Sequence, residues 1–196
     1  MNDILSGQFV LVMAPSGSGK STLIRDIKEV YPDMSFARTH TTRVPRPGED
    51  PQTGTYDFVS NETFDANIAA GAYLEWATFG GHRYGTPAAD VLNVLKSGGA
   101  VLKEMDLQGV KQVRALIPPE HLTVVYIDGG SWEALKERIL ARAPMSAEQL
   151  ELRKERFLEE EKGKGEADVI VENHDGNVAK AKERFRACIA TIRERL

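Results

Sequence analysis

The chain has 196 residues, 41% of them apolar and 28% charged, with a net charge of −4. That is enough apolar chain for one compact domain with a sizeable core, and it excludes global disorder. The acidic balance argues against a general nucleic-acid binder, which carries a basic bias, and the single cysteine, Cys188, excludes an intramolecular disulfide.

Residues 9–13 form a continuous apolar run, the pattern of a strand buried on both faces. A helix is expected over residues 21–30, ending near Tyr31-Pro32. Between strand and helix lies Ala14-Pro15-Ser16-Gly17-Ser18-Gly19-Lys20-Ser21-Thr22, the context that a phosphate-binding loop requires. Gly17 and Gly19 let backbone N–H groups approach phosphate oxygens with no Cβ in the way. The helix N-terminus adds unpaired donors and the positive end of its dipole. Lys20 supplies a full charge near the β- and γ-phosphates, and the Ser21 hydroxyl suits Mg²⁺. Ala14 stands where the common pattern has its first glycine.

A second strand is expected over residues 34–39. The next stretch, residues 39–86, is rich in Gly, Pro, Thr and aromatic residues, with short strands expected at 56–59 and 73–77 and a helix at 61–70. It reads as a small insertion standing off the core. Within it, Arg43 and Arg46 lie three apart in a proline-stiffened turn, which suits a doubly charged phosphate gripped by guanidinium forks.

Beyond the insertion, Thr86 and Pro87 have the spacing of an N-cap and first helical position for a helix running to Ser97. Strands at 100–105, 123–127 and 169–171 alternate with helices at 107–117, 131–143 and 146–161, the last with a capping box of Ser146 and Gln149. The final helix puts Val178, Phe185, Ile189, Ile192 and Leu196 on one face, and Cys188 falls on this apolar stripe as packing. Such alternation implies an α/β fold with a mainly parallel five-stranded sheet flanked by helices. Residues 142–165 are charge-rich and follow an Arg-Ala-Pro turn, as a mobile lid would. No apolar run approaches the ~18 residues of a membrane span. No basic stretch precedes an apolar one near the N-terminus, so a cytoplasmic protein without a leader is expected.

At this point the sequence resembles guanylate kinase. The resemblance rests on the 14–22 loop, His40-Thr41-Thr42-Arg43 with Pro45-Arg46 and Gly48-Glu49, Tyr56-Asp57-Phe58-Val59, Leu74-Glu75-Trp76-Ala77, Tyr84-Gly85-Thr86 and Asp106-Leu107-Gln108-Gly109. These motifs occur in family order from about residue 8 to 175. The resemblance implies a single domain: a core of 1–38, 87–141 and 166–196, a GMP-binding α+β insertion at 39–86 and a helical lid at 142–165. It implies transfer of the terminal phosphoryl group of ATP to GMP with Mg²⁺. Arg43, Arg46, Tyr56 and Tyr84 correspond to residues on the GMP phosphate; Thr39, Glu75, Thr86 and Asp106 to those near the guanine. Arg138, Arg142 and Arg153 correspond to lid and hinge arginines that act with Lys20 and Arg43 in catalysis, and Asn173 to a position near the adenine of ATP. Ser21 and, through water, Glu104 correspond to the metal position.

The implied partners are GMP and ATP, with neither nucleic acid nor membrane; a homo-oligomer is left open. Two rivals are a non-catalytic domain of the same fold that binds other proteins, and a kinase acting on another small phosphate such as a ribose bisphosphate. The first usually loses the loop lysine or the lid arginines, and the second has no need of a guanine-edge carboxylate. The chain departs from the family at Glu104, where a shorter carboxylate is usual, at Ala143, where glycine is usual, and at 165–167, where an aromatic is missing. Lys103 lies within an expected buried strand, an expensive place unless its ammonium reaches the cleft or a carboxylate.

Overall fold

The computed structural model describes residues 5–50, 54–174 and 177–196. Its main sheet has the order β2-β7-β1-β8-β9, with every neighbouring pair parallel. Strand β1 (Gln8–Met13) is central and buried along its whole length, as a continuous apolar run requires. Its flanks are β7 (Ala100–Glu104) and β8 (Leu122–Asp128), with β2 (Ser35–Phe36) and β9 (Val169–Glu172) at the edges.

The alternation of side chains along β1 builds two cores. Val10 and Val12 face helices α1 (Lys20–Val30) and α7 (Val178–Arg193), where they meet Leu23, Ile27, Phe185 and Ile189. Phe9, Leu11 and Met13 face the opposite layer, which holds Val91 and Leu95 of α3 (Ala88–Lys96) and Val110 and Val113 of α4 (Leu107–Arg114). The result is three layers, helices on both faces of a parallel sheet. Cys188 packs against the α1/α7 core, and burial pushes its thiol up to about 11, as suits a packing residue. No described helix is long and apolar enough to cross a membrane.

A second sheet, order β4-β3-β6-β5, is formed by β3 (Thr39–Thr41), β4 (Tyr56–Phe58), β5 (Tyr73–Phe79) and β6 (His82–Pro87), and it packs on α2 (Asn61–Ala69). Phe64 of α2 is fully buried, with its ring 4.7 Å from that of Tyr73. A Cβ at Gly85 would stand 3.1 Å from both rings, so the close approach of β6 requires glycine there.

Several boundaries differ from the sequence expectation. Residues 34–39, expected as one strand, divide into β2 in the main sheet and β3 in the second. Pairing with β7 stops once Ala37 N–H has donated to Leu102 O, and Thr39 N–H donates instead to Thr55 O. Thr86 is not an N-cap: it lies within β6, Pro87 takes the cap position without a side-chain bond, and α3 begins at Ala88. The Thr86 hydroxyl is drawn to Glu75 instead. Strand β7 stops at Glu104, and α4 stops at Arg114, short of the proline pair at 118–119. Leu196 lies past the end of α7 and is 49% exposed, and Val178 is half-buried, so of the stripe Phe185, Ile189 and Ile192 turn fully inward. Residues 142–165, expected as a lid, are helical over most of their length. Helix α5 (Trp132–Arg142) leads through a short turn to α6 (Ala147–Glu161), which begins on the expected Ser146–Gln149 capping box. A 3₁₀ turn, Lys162–Glu166, follows.

Candidate active site

The phosphate loop runs from the carboxyl end of β1 into α1, the crevice where parallel α/β sheets hold ligands. Gly17 and Gly19 both have φ of 88°, a left-handed backbone that favours glycine. A Cβ on Gly19 would meet Asn173 Nδ2 at 2.3 Å, so the loop is packed tightly from beneath. Gly19 caps α1 without a side-chain bond, so no side chain occupies the first-turn donors. A cavity of about 580 Å³ opens over residues 14–22, and Arg46, Tyr56, Glu104, Arg142 and Glu160 complete its lining. Lys20 Nζ lies 3.1 Å from Glu104 Oε2 at the end of β7.

A second cavity of about 450 Å³ adjoins the first and is lined by Thr39, Arg43, Arg46, Tyr56, Glu75, Tyr84 and Asp106. The two share Ala14, Lys20, Arg46, Tyr56, Glu104 and Glu160, so they meet at the Lys20–Glu104 pair. A wider cleft of about 990 Å³ between α4 and α6 shares Phe79, Asp106 and Glu160 with the second cavity but none of the loop residues. Its size therefore says less about chemistry than the junction of the two smaller cavities does.

The arginine turn is closed by Glu49. Arg43 donates from Nη1 and Nη2 to the two Glu49 oxygens at 2.8 and 3.0 Å, and Arg46 N–H donates to the same carboxylate at 2.9 Å. These bonds hold the Glu49 carboxyl below its ordinary range and Arg43 above its own. The Arg43 guanidinium also lies 5.1 and 5.4 Å from the ring centres of Tyr56 and Phe58. Arg46 is exposed and lines both cavities.

At the other end of the second cavity, Glu75 on β5 accepts from the Thr86 hydroxyl at 2.5 Å. Burial pushes the Glu75 carboxyl above the ordinary range, against the hydrogen bond from Thr86 and the charge of Lys103. Thr86 is fully buried behind Glu75 and is absent from the cavity lining. Asp106 is the N-cap of α4, its Oδ1 accepting from Gly109 N–H at 2.8 Å. Lys103 does reach the cleft: its ammonium donates to Ala37 O at 3.2 Å, to Arg38 O at 2.8 Å and to the Thr39 hydroxyl oxygen. Burial pulls it down to about 8, against the charges of Glu75 and Glu104.

The lid residues divide. Arg142 lines the first cavity, and Arg153 reaches the loop rim, donating to Ser16 Oγ at 2.8 Å. Arg138 lines neither cavity; it donates to Asn173 O at 3.1 Å. Asn173 is 4% exposed, and its Nδ2 donates to Ser18 O at 2.6 Å, so its side chain faces the underside of the loop. Ser21 and Glu104 bring a hydroxyl and a carboxylate to one cavity, a hard-oxygen pair of the kind Mg²⁺ accepts. Among the described residues no group of three His, Cys, Asp or Glu could hold a metal by itself. That suits an ion that takes most of its ligands from phosphate and water.

Three residues were given no role from the sequence. Glu49 closes the arginine turn, and its spacing from Arg43 and Arg46 was a visible signal. Glu160 of α6 lines both cavities and accepts a backbone bond from Ser16, with burial pushing its carboxyl up. Gln112 of α4 exchanges two hydrogen bonds with the backbone of Trp76 on β5, each 3.2 Å, and so occupies the free edge of that strand beside Glu75. The sequence carried no local sign of either of these.

The family model for guanylate kinase matches residues 6–189. A guanylate kinase of Streptomyces kasugaensis is 44% identical over 147 residues, covering 74% of this chain and 70% of that protein. One from Nostoc sp. (strain PCC 7120 / SAG 25.82 / UTEX 2576) is 39% identical over 175 residues, covering 89% and 86%. The crystal structure of guanylate kinase from Anaplasma phagocytophilum superposes with a TM-score of 0.69 over 95% of this chain and 86% of that one; at 21% identity that likeness speaks for the fold alone. With a family match over nearly the whole chain and relatives of this identity and coverage, the chain belongs to the guanylate kinase family.

Proposed function

We propose that this chain is an ATP-dependent guanylate kinase, catalysing ATP + GMP → ADP + GDP, with dGMP as a further acceptor. The observation that carries the reading is the junction at Lys20 and Glu104 of a phosphate-loop cavity and a cavity ending in a buried carboxylate. Guanine presents N1–H and N2–H₂ donors along one edge, and Glu75 can accept from both. Adenine has a lone pair at N1, which would leave a buried carboxylate unpaired, so AMP is rejected.

In this reading residues 39–86 are the acceptor-binding insertion and 142–165 the lid, on a core of the remaining residues. Arg43, Arg46, Tyr56 and Tyr84 hold the GMP phosphate, while Thr39, Glu75, Thr86 and Asp106 surround the base. The loop amides and Lys20 hold the donor phosphates, and Asn173 supports the loop from the ATP side. An oxygen of the GMP phosphate attacks the γ-phosphorus as the bond to the β-bridging oxygen breaks. No covalent enzyme intermediate forms; catalysis is alignment and neutralisation of charge on the equatorial oxygens. Arg142 and Arg153 supply that charge from the lid, with Arg138 behind them through Asn173. Ser21 and, through water, Glu104 would hold Mg²⁺, which would supply neutralisation of negative charge on the donor phosphates. Closure of α6 over the loop excludes the water that would otherwise accept the phosphoryl group. The cytoplasm, where both nucleotides are made and consumed, is the compartment this activity fits.

A coupled ADP-release assay across GMP, dGMP, AMP, UMP and ribose phosphates tests the reading. Turnover with GMP and dGMP alone is expected. Equal turnover with AMP, or turnover only with a ribose phosphate, would overturn it.

A further inference from the structure

Lys103 makes contacts that the phosphoryl-transfer mechanism does not use. The main sheet ends its pairing of β2 with β7 at Phe36–Leu102, and the chain then swings out to the second sheet. Lys103, next along β7, sends its side chain into the gap, where Ala37 O and Arg38 O have left the ladder. Its third contact is the Thr39 hydroxyl oxygen. An ammonium has three donors and no acceptor. A hydroxyl that accepts from it must therefore aim its own single proton elsewhere, and Thr39 lines the acceptor cavity together with Glu75.

We propose that Lys103 is a specificity-positioning residue: it fixes the Thr39 hydroxyl as a one-way donor into the acceptor cavity, so that the site demands an oxygen at C6 of the purine. This rests on the guanylate kinase reading above and sharpens it. Guanine carries a carbonyl oxygen at C6 beside N1–H. A fixed donor at Thr39 and a fixed acceptor at Glu75 match those two neighbours in order. Adenine reverses both, with an amino group at C6 and a lone pair at N1. A free hydroxyl could rotate to accept from that amino group; one held by Lys103 cannot, so the wrong base meets two mismatches instead of one.

The test compares kcat/KM for GMP, IMP and AMP in wild type, Lys103→Gln, Lys103→Met, Thr39→Val and the Lys103→Gln/Thr39→Val double variant. Glutamine keeps amide donors for Ala37 O and Arg38 O, so the hinge stays satisfied if methionine fails to fold; thermal melting checks each variant. Lys103→Gln is expected to lower the GMP-over-AMP ratio about 10- to 100-fold, mainly through KM for the acceptor and not kcat. IMP, which keeps the C6 oxygen but lacks the amino group at C2, should lose as much as GMP. In the Thr39→Val background Lys103→Gln should add less than about twofold, because the hydroxyl it orients is gone. An unchanged GMP-over-AMP ratio in a folded Lys103→Gln, or losses that multiply in the double variant, would sink the proposal while leaving the kinase reading intact. Absence of GMP turnover in the wild type would overturn both.

Discussion

In the proposed reaction Lys20 and Glu75 serve opposite halves of the chemistry, and the environment of each sets what its loss should do. The Lys20 ammonium sits at the junction of the two cavities, 3.1 Å from Glu104, within reach of charge that develops during transfer. Lys20→Ala should lower kcat roughly 100- to 1,000-fold with an unchanged melting profile, as loss of one charge-stabilising donor does; wild-type turnover in that variant would remove Lys20 from the mechanism. The proposed reaction uses Glu75 as a carboxylate that accepts from guanine. Its carboxyl is raised by burial, with Asp106 adding to the shift and Thr86 and Lys103 opposing it. On lowering the pH, Glu75 therefore takes up its proton earlier than an ordinary carboxylate. KM for GMP should rise on the acid side before KM for ATP does, and Glu75→Ala should abolish that difference while costing GMP far more than ATP. Parallel pH profiles for the two substrates in the wild type would refute the role of Glu75. Asp106 shows how a residue can serve twice: one carboxylate oxygen caps α4 while the side chain lines the acceptor cavity.

Helices α1 and α7 are joined outside the apolar core by a charged clamp. Asp26 is 2% exposed and accepts from Arg186 at 2.6 and 2.5 Å, with Lys182 Nζ at 3.0 Å. The Arg186 hydrogen bond, more than any other contact, holds the Asp26 carboxyl below its ordinary range. A depressed native value stabilises the fold above the unfolded value of about 3.9 and is lost as the pH falls through the native one. Both cations keep solvent access, so the contribution is set at about 1–2 kcal/mol, or roughly 2–8 °C in a domain of this size. Asp26→Asn should lower the melting temperature by that amount at pH 7, and the gap to wild type should close below about pH 4. A constant gap across that range would show that the clamp acts by packing and not by charge. Helix α6 was legible for the opposite reason. Its Ser146–Gln149 capping box is a contiguous signal, and it forms as expected. The division of residues 34–39 was not legible because nothing within them marks where one sheet gives way to another; that break falls where β2 leaves β7 after Leu102, beside Lys103.

Across the whole molecule, helix α6 touches both the second sheet and the phosphate loop of the core. Arg153 of α6 reaches Ser16 on the loop, and the Arg156 guanidinium lies 4.7 Å from the ring centre of Phe79 at the tip of β5. An exposed cation–π contact of this kind is worth about 0.5–1 kcal/mol. Arg156→Ala should raise KM for GMP and ATP together by roughly 2- to 5-fold with kcat nearly unchanged, a factor that follows from that energy. Steady-state kinetics with each substrate varied would check it, and a change confined to kcat would show that Arg156 acts on the chemistry. The phosphate loop, the arginine turn, the parallel α/β plan and the family were determined by the sequence itself, because each depends on residues close along the chain or on a hydrophobic period. Only the tertiary structure decided that Thr86 serves Glu75 and not a helix cap, that Asn173 supports the loop from below, that Gln112 fills the edge of β5, and that a buried Lys103 spans the turn from one sheet to the other. These are pairings of polar groups far apart in sequence. Their energies depend on which donors and acceptors folding leaves without water, and a one-dimensional pattern does not record that.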